Sequence, residues 1–396
     1  MTSSELYTKE NCCGCKACSN ACPRDAIEFK CDELGFFFPS IDVEKCIDCG
    51  LCASSCDFQK DIIEKNTPIK SFAAINKDTV ALKKSSSGGV FWALAEITLE
   101  KGGTVCGCVY NENLEPIHIC ADKEDECVRM RGSKYVQSDI GFVYREIKEK
   151  LKSGKQVLFT GTPCQVAALQ SVLLRKKYDN LITVDLVCHG VPSALMFKKY
   201  LEYLEEKYNT EIVGYSFRSK RYGWQRFTSE FTDSKGRVKN IGKINEFYQT
   251  EFTNGNIMRE SCFHCKYATP ERVGDFTIGD FWGHEKVNIT MDVSKGLSIC
   301  TANTQKAIDT IPALSEKLHL IDVEYKIIVK GNKCLHMPTP KGKKWEQYMD
   351  ALKQNEIPKI AKQYVIKNKK SIFRNKLRLY VPNFLFRAVR RNKYGK

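Results

Sequence analysis

The chain has 396 residues, enough for a small module and one large domain or two medium ones. No stretch approaches the ~20 consecutive apolar residues of a membrane-spanning helix, so we expect none. Twenty cysteines without a secretion signal (residues 1–11 are polar) make disulfides unexpected and favour metal chemistry in a reducing compartment. Thirteen of the fifteen net positive charges follow Glu356, so the preceding residues are near neutral.

Two cysteine runs with one shared spacing stand near the start of the chain. Each follows C-x2-C-x2-C-x3-C, the pattern of thiolates that bind cubane [4Fe–4S] clusters. In two-cluster ferredoxins the fourth cysteine of each run binds the other cluster. The predicted ligands of the first cluster are Cys12, Cys15, Cys18 and Cys56. The predicted ligands of the second cluster are Cys46, Cys49, Cys52 and Cys22.

Residues 1–60 are therefore predicted to form a bacterial-type ferredoxin module with two [4Fe–4S] clusters. Gly14 and Gly50 are expected to make tight turns that bring backbone N–H groups towards the cluster sulfurs. Zinc sites pair two C-x2-C units and do not need this offset, so zinc explains the runs less well. Cys13 and Cys31 lie outside the spacing and are not predicted to be ligands.

Alternating strands and helices follow a short linker at 61–70 and predict an α/β domain with a largely parallel sheet. The predicted strands are 71–76, 104–110, 156–160 and 181–187. The predicted helices are 89–100, 141–153, a helix from 163 to about 175, and one from about 192. Residues 211–241 have the pattern of antiparallel hairpins. The predicted fold class is thus α/β with α+β elements: a small ferredoxin module, then an α/β domain with β-hairpin additions.

Cysteines also follow two of the predicted parallel strands, at the edge where α/β proteins place ligands. Cys164 comes after the strand at 156–160, and Cys188 comes after the strand at 181–187. Cys262 and Cys265 form a further C-x2-C pair. These four cysteines could close a third metal site. The residues alone leave open a cluster, a zinc ion, or buried cysteines without a redox role.

Two polar stretches and one histidine are further candidates. The S-S-S-G-G loop at 85–89 precedes a predicted helix and could bind an anion, although an ordinary capped loop is equally consistent. The basic stretch 129–137 could meet a phosphate or a ring edge, or be a solvated loop. His189 could donate a proton, or it could be a hydrogen-bonded structural histidine.

Six motifs together make residues 70–310 similar to the family of beta subunits of coenzyme F420 hydrogenases and dehydrogenases. They are S-G-G at 87–89, R-G-S-K-Y-V-Q-S at 131–138, G-T-P-C-Q at 161–165, C-H-G-V-P-S at 188–193, C-x2-C at 262–265 and G-D-F-W-G at 279–283. The resemblance implies a flavin-binding-type α/β domain with an N-terminal part at 70–160 and a C-terminal part at 161–335. Residues 336–396 would then be a basic C-terminal tail.

The resemblance also implies cofactors and site residues. It implies FAD in the α/β domain and a third [4Fe–4S] cluster close to the flavin. The ligands implied for that cluster are Cys164, Cys188, Cys262 and Cys265. The implied flavin neighbours are Ser87, Gly88, Gly89, Lys134, Tyr135, Gln137 and Thr162. His189 is kept as the candidate catalytic residue.

The predicted function is an iron–sulfur flavoprotein oxidoreductase that relays electrons between [4Fe–4S] clusters and a flavin to reduce or oxidise an organic substrate. Coenzyme F420 or a glycan- or lipid-linked compound fits that description. Arg218, Lys220, Arg221 and Arg226 could bind anionic F420, but a solvated basic hairpin is the preferred interpretation. The predicted partner is a redox donor such as ferredoxin or a partner oxidoreductase subunit. The alternative is a non-catalytic electron-transfer subunit that feeds a separate enzyme.

The tail at 366–396 combines basic and aromatic residues. Such a segment can lie on an anionic membrane surface, form a solvated helix, or dock on an acidic partner. The predicted localisation is cytoplasmic, with peripheral contact at the inner membrane surface as an alternative. No recognisable nucleic-acid-binding motif accompanies the charge, so nucleic acid is not a predicted partner.

Overall fold

The computed structural model describes residues 6–60, 63–242 and 247–367, with the backbone alone at 366 and 367. Of the predicted basic tail at 336–396, residues 336–367 are described and include two helices that pack in the core, so the prediction of a tail is wrong for that part; residues 368–396 lie outside the described residues. The N-terminal module consists of two cysteine-bearing loops, two short helices and one antiparallel hairpin. Its elements are α1 (Ala17–Ala21), β1 (Ile27–Cys31), β2 (Phe37–Ile41) and α2 (Leu51–Ser54).

The two cysteine runs adopt the same backbone path. Each turns through left-handed residues at the second and fourth positions after its first cysteine. In the first run these are Gly14 (φ 66°) and Lys16 (φ 61°), and in the second Asp48 (φ 52°) and Gly50 (φ 72°). Left-handed residues turn the chain sharply, so each run curls around a common centre.

An eight-stranded mixed sheet forms the centre of the large domain. Its strands are β3 (Lys70–Asn76), β4 (Thr104–Tyr110), β5 (Pro116–Ala121), β6 (Val157–Gly161), β7 (Leu181–Leu186), β11 (Phe276–Asp280), β12 (Ser298–Ala302) and β13 (Leu318–Asp322). They lie in the order β13-β3-β12-β11-β7-β6-β4-β5. The prediction of a largely parallel sheet is wrong, because only β4-β6, β6-β7 and β7-β11 are parallel pairs among the described strands. The edges run antiparallel because β4 turns back directly into β5, and β12 pairs antiparallel with β11 and β3.

Helices cover both faces of the parallel centre. The helices that follow β3 and stand between the strands are α3 (Thr79–Lys84), α4 (Val90–Glu100), α5 (Glu124–Cys127), α6 (Val143–Lys152), α7 (Pro163–Val172) and α8 (Ala194–Tyr208). Helix α4 packs on the face that carries Val105 and Leu158. Helices α6 and α7 pack on the opposite face with Val157 and Phe159. Because both faces are buried, β6 is apolar without alternation, and the predicted α/β class is confirmed.

The predicted hairpins at 211–241 are confirmed as a three-stranded antiparallel sheet. Its strands are β8 (Ile212–Ser219), β9 (Thr228–Asp233) and β10 (Val238–Gly242). An aromatic core joins this sheet to α8 and to the N-terminal module, with Phe36, Phe197, Phe217 and Tyr248 among its members. The hairpin sheet therefore packs beside the module.

The remaining helices lie towards the C-terminus. They are α9 (Phe247–Thr253), α10 (Gln305–Lys317), α11 (Tyr325–Gly331), α12 (Trp345–Lys353) and α13 (Ile357–Lys367). Helices α12 and α13 contribute Tyr348 and Ile357 to the aromatic core. Each helix in the described part of the chain is too short or too polar to cross a bilayer.

One pair of cysteines departs from the expectation that disulfides are absent. Cys106 on β4 stands directly opposite Cys120 on β5, with the two Cα atoms 4.1 Å apart, and the two residues form a disulfide. The other cysteines are free. The expectation was wrong here because it considered the redox compartment alone, whereas strand pairing places these two thiols side by side.

Candidate functional site

The first predicted ligand set comes together across the two cysteine runs. Burial raises the pKa of Cys18 well above its usual range, and the neighbouring thiols of Cys15, Cys12 and Cys56 raise it further. Burial, followed by Cys15 and Cys12, also raises the pKa of Cys56 to about 12. The last cysteine of the second run thus lies beside the first three of the first run, as the two-cluster interpretation expects.

The second predicted set lines a cavity in the module. Cys22, Cys46, Cys49 and Cys52 face this cavity together with Ile27, Ile41 and Ile47. Burial raises the pKa of Cys52, and the nearby Cys22 and Cys46 contribute to the same direction. A cavity walled by thiols and apolar side chains suits an inorganic cluster that must be shielded from water.

The third predicted set comes together at the carboxyl edge of the parallel strands. Cys164 lies in the first turn of α7, and Cys188 follows β7. Burial raises the pKa of Cys188 well above its usual range, with Cys262, Cys164 and Cys265 next in effect. Burial raises the pKa of Cys262 to about 12 and that of Cys265 to about 11. The structure therefore places all four dispersed cysteines near one another.

A buried ion pair holds the loop that carries Cys262 and Cys265 against the sheet. Nη2 of Arg272 lies 2.6 Å from Oδ1 of Asp185 on β7, and both side chains are buried. The other carboxylate oxygen of Asp185 accepts from the backbone N–H of Gly274 at 2.8 Å. The sheet thereby fixes the segment just after the C-x2-C pair.

The donor chemistry of these sites fits iron–sulfur clusters. Backbone N–H groups of Gly14, Gly190 and Val191 donate to the sulfurs of Cys12, Cys188 and Cys262 respectively. Such hydrogen bonds to cluster sulfurs help to set reduction potentials. Buried thiols that raise one another's pKa are costly to ionise unless a cationic iron core lies among them. Within the described ranges, no group of three or more His, Cys, Asp or Glu residues has the arrangement to hold a single metal ion.

Cys13 joins the first and third cysteine sets, although the spacing did not predict a role for it. Its thiol hydrogen-bonds with both Cys15 and Cys164, which raises the pKa of Cys13 well above its usual range. The bond from Cys13 is the main reason that the pKa of Cys164 is lowered to about 7. The two sets therefore meet at Cys13.

The predicted flavin loop at 85–89 packs closely against the sheet. A side chain at Gly88 would place its Cβ atom 2.1 Å from the carbonyl oxygen of Ala74, so only glycine fits there. The Ser87 hydroxyl donates to the Leu297 carbonyl at 2.8 Å. Gly89 has a φ of 86° and starts α4. The loop is thus rigidly placed at a helix N-terminus.

Two inward-facing cations stand beside this loop. Arg218 makes two hydrogen bonds to the carboxylate of Asp280, at 2.5 and 3.0 Å, and another to the Tyr135 hydroxyl at 3.0 Å. Nζ of Lys220 donates to the carbonyl oxygens of Leu82 at 2.7 Å and Ser87 at 2.6 Å. Burial, and then the charge of Arg218, lower the pKa of Lys220 to about 7, while Asp280 opposes them.

The interpretation of a solvated basic hairpin is therefore wrong for Arg218 and Lys220. It holds for Arg221, which is half exposed and pairs with Glu230. Trp224 shares the inward arrangement, because its indole N–H donates to Asp280 at 2.9 Å and its ring stacks on Trp282.

Two buried donors near the loop fit an anionic cofactor. Among the described residues, Nε of Arg131 and Nε of Arg218 have no hydrogen-bond partner. The Arg131 guanidinium lies over Trp92, with its Cζ atom 3.3 Å from the ring centre. Gly132 has a φ of 86° and open space around the position of a Cβ atom. Buried donors of this kind need an acceptor, which a phosphate or the oxygens of a flavin would supply.

The other implied flavin neighbours lie in two regions: Lys134 lies in its own loop, and Gln137 and Thr162 lie beside cysteines. Nζ of Lys134 donates to carbonyl oxygens of its own loop, including Gly132 at 3.1 Å, and so stabilises that loop. The Gln137 amide donates to the Cys13 carbonyl at 3.0 Å. The Thr162 hydroxyl lies 3.1 Å from the Cys164 sulfur. Gln137 therefore borders the junction at Cys13 and Thr162 borders the third cysteine set, whereas Arg218 contacts the Tyr135 hydroxyl and the Ser86 carbonyl in the flavin loop.

His189 has both ring nitrogens engaged. Nε2 lies 3.2 Å from the Thr253 carbonyl, and Nδ1 lies 3.2 Å from the Thr339 hydroxyl and 3.6 Å from the Cys334 sulfur. Burial lowers the pKa of His189. These contacts favour the structural interpretation of this histidine over a catalytic one.

Comparisons with known proteins find similarities for both the N-terminal module and the large domain. Residues 154–325 match the family described as the C terminus of the beta subunit of coenzyme F420 hydrogenase/dehydrogenase, and residues 6–28 match a 4Fe–4S binding domain. The chain is 23% identical over 273 residues to one subunit of the F(420)H(2) dehydrogenase of Methanosarcina mazei, covering 66% of this chain and 73% of that protein. It is 33% identical over 72 residues to an uncharacterized ferredoxin of Methanocaldococcus jannaschii, covering 18% of this chain and 92% of that protein.

One solved structure is also similar. It is a xenon derivative of the F420-reducing [NiFe] hydrogenase complex from Methanosarcina barkeri. The TM-score is 0.46 at 18% identity, covering 79% of this chain and 95% of that chain.

Proposed function

We propose that the protein is an iron–sulfur flavoprotein oxidoreductase, because residues 154–325 match the C-terminal family of coenzyme F420 hydrogenase/dehydrogenase beta subunits and residues 6–28 match a 4Fe–4S binding domain. It relays electrons between [4Fe–4S] clusters and FAD to reduce or oxidise an organic substrate. When bound, the flavin supplies the conversion between one-electron and two-electron chemistry. The protein supplies the positions of these groups and the electrostatics around them.

The proposal assigns the cofactors to the cysteine sets and to the polar residues around the flavin loop. The first and second cysteine sets of the module hold two clusters, and Cys164, Cys188, Cys262 and Cys265 hold the third. The loop at 85–89, Tyr135 and the free Nε donors of Arg131 and Arg218 hold the FAD. The stacked pair Trp224 and Trp282 lies beside Asp280 and helps to exclude water from that end of the site.

One short stretch of chain carries the proposal, because it touches both kinds of site. The backbone N–H of Ser133 donates to the Ser86 hydroxyl at 2.7 Å, in the flavin loop. Four residues later, Gln137 donates to the Cys13 carbonyl at the meeting point of two cysteine sets. Four residues span at most about 14 Å when fully extended. The flavin loop and the junction of the cysteine sets are therefore close neighbours.

The relay is tested by asking whether a reduced ferredoxin can reduce the bound flavin. Cys15→Ser removes a predicted ligand of the first cluster, whereas Cys31→Ser removes an exposed cysteine outside every set. We expect Cys31→Ser to match the wild type and Cys15→Ser to lose flavin reduction by ferredoxin. Direct photoreduction should still reduce the flavin in both variants. Normal reduction by ferredoxin in a Cys15→Ser protein that lacks the first cluster would contradict the relay.

Coenzyme F420 is the substrate that the comparisons favour, since the relative from Methanosarcina mazei is named as part of an F(420)H(2) dehydrogenase. We propose a deazaflavin of this kind as the hydride partner of the flavin. The test is to mix the anaerobic flavin-loaded protein with reduced F420 and follow the flavin absorbance. Bleaching of the flavin at a stoichiometry of one F420 would support the assignment. An unchanged flavin spectrum would redirect the search to glycan- or lipid-linked substrates.

A second candidate function is electron transfer to a separate catalytic protein. The name of the same relative favours it, because that protein is one subunit of a larger enzyme. The two functions differ in what the isolated chain can do. Turnover of a substrate with ferredoxin as the sole redox partner supports an enzyme. Oxidation and reduction of the clusters without turnover of any substrate supports an electron-transfer role.

A further inference from the structure

Arg259 is a buried cation at the boundary between the N-terminal module and the large domain. It is 1% exposed. Its Nε donates to the Cys12 carbonyl at 2.7 Å, and its Nη2 donates to the Phe37 carbonyl at 3.0 Å. Its Nη1 donates to Oε1 of Gln137 at 3.0 Å. Each of these acceptors is neutral.

No carboxylate lies within ion-pair distance of Arg259 among the residues the structure describes. The two other buried arginines of similar depth differ in this respect. Arg218 pairs with Asp280, and Arg272 pairs with Asp185. A buried charge without a counter-charge is strongly unfavourable, so the charge of Arg259 needs compensation from another group.

Cysteines of two sets lie near Arg259, whose own backbone carbonyl accepts from the N–H of Cys262 at 3.0 Å. Arg259 hydrogen-bonds to the Cys12 side chain in the first set. Its charge also acts on Cys164 and Cys262 in the third set. The guanidinium lies over Phe38, 4.2 Å from the ring centre, which leaves its polar edge for the neighbouring acceptors. The negative charge nearest to it would therefore come from cysteine thiolates.

We propose that Arg259 compensates the negative charge of the first and third cluster sites together and raises the reduction potential of both. The inference rests on the proposed binding of clusters at these cysteines. Reduction adds an electron to a site that already carries thiolates, and a nearby buried cation stabilises the more negative state. Hydrogen bonds and charges beside the ligands are the means by which proteins set cluster potentials.

A purely structural role is the competing explanation, since Arg259 also ties the module to the large domain. The two explanations predict different effects on the potentials. Loss of an anchor alone reduces stability or iron content. Loss of the charge also moves the potentials of the first and third clusters, while the potential of the second cluster, whose cysteines line a cavity that Arg259 does not line, stays constant.

The experiment is a reduction-potential titration of the full-length protein, followed by electron paramagnetic resonance, with iron content measured in each sample. Arg259→Gln removes the charge and Arg259→Lys retains it. Arg145→Gln is the matched control, because Arg145 also bonds to the module, at the carbonyls of Asn20 and Ser19. Unlike Arg259, Arg145 is one-third exposed and pairs with Asp25.

We expect Arg259→Gln to shift the first and third potentials to more negative values. The two potentials of Arg259→Lys should stay close to those of the wild type. Arg145→Gln should leave both potentials unchanged. Gln137→Glu provides an independent route, because it puts a carboxylate beside the guanidinium and cancels its charge. It should lower the same two potentials even where Arg259→Gln fails to assemble.

Unchanged potentials in both Gln137→Glu and a fully loaded Arg259→Gln would overturn the inference. The inference would also be overturned if Arg259→Lys loses iron, or if its two reduction potentials shift as far as those of Arg259→Gln. Either result would assign Arg259 a structural role. Failure of the proposed function gives a distinct result. The wild type would then lack flavin or the third cluster, while the effect of Arg259 on the first cluster could still be measured.

Discussion

The N-terminal module and the domain built on the eight-stranded sheet bring cysteines together in different ways. In the module, all eight predicted ligands lie between Cys12 and Cys56, and two similar loops position them. In the large domain, the four predicted ligands extend from Cys164 to Cys265 and meet because parallel strands end at one edge. The first arrangement depends on local spacing, and the second depends on the topology of the sheet.

This difference decides how each site should fail. The module sites depend on left-handed turns such as Gly14 and Gly50, which one substitution can disturb. The third site depends on elements far apart in the chain, among them the buried pair Asp185 and Arg272. Damage to the sheet should therefore remove the third site and leave the module loaded.

The largest expected effect is the loss of a whole cluster. Cys188→Ser should lower the iron content by about four per chain, the number in one [4Fe–4S] cluster, because its sulfur belongs to the dispersed set. Iron bound by the module should remain, which distinguishes the two regions. Colorimetric iron and sulfide analysis checks this, with Cys31→Ser as the control. Full iron content in Cys188→Ser would remove Cys188 from the ligands.

The next largest effect concerns the support of the third site. Asp185→Ala should lower the free energy of unfolding by about 3–5 kcal/mol, because it leaves the Arg272 charge buried without a partner. Urea denaturation under anaerobic conditions measures the loss. Lys152→Ala, which breaks an exposed pair with Glu149, should leave the midpoint nearly unchanged. A similar midpoint shift in both variants would contradict the role given to the buried pair.

The third test exchanges equivalent residues of the two cysteine runs. Gly14 and Asp48 hold the same left-handed position, but a Cβ atom at Gly14 would lie 2.5 Å from Nε2 of Gln137. Gly14→Asp should therefore cost about 2–4 kcal/mol, from the left-handed backbone and the overpacking together. Asp48→Gly should be tolerated. Equal stability losses in thermal unfolding would show that the two loops do not differ in this way.

The smallest effect is a pH dependence at Lys220. Its pKa is about 7 in the folded protein and near 10.5 in the unfolded chain, because burial and Arg218 disfavour its charge. Between these values the unfolded chain binds more protons, so stability rises with pH. From pH 7 to 9 the wild type should gain about 2 kcal/mol relative to Lys220→Met. Parallel stability curves for the two proteins would contradict the lowered pKa.

The sequence indicated which cysteines come together, because the cysteine spacing and the positions of cysteines after strands are both visible in it. The ligand spacing assigned Cys56 to the first set and Cys22 to the second; the structure puts Cys56 near Cys15 and Cys12, and Cys22 in one cavity with Cys46, Cys49 and Cys52. The positions of Cys164 and Cys188 after buried strands indicated a common edge. The antiparallel edges of the sheet were missed, because nothing in the short apolar strands specifies the direction of a neighbour.

Two buried arginines were missed for physical reasons. Arg218 follows the inward-facing Phe217, so strict alternation predicts an exposed side chain. A register shift between Ser216 and Ser219 turns both residues inward instead. Arg259 follows Ile257 and Met258 and precedes Cys262 by three positions. Neither feature indicates burial of the charge, which arises only when the module packs against the domain.

The most direct test of the account is the content of iron, acid-labile sulfide and extracted flavin per chain after anaerobic purification. The account predicts about twelve irons, from three four-iron clusters, together with one flavin. About eight irons without flavin would leave only the module sites loaded, and would contradict both the third cluster and the flavin site of the large domain.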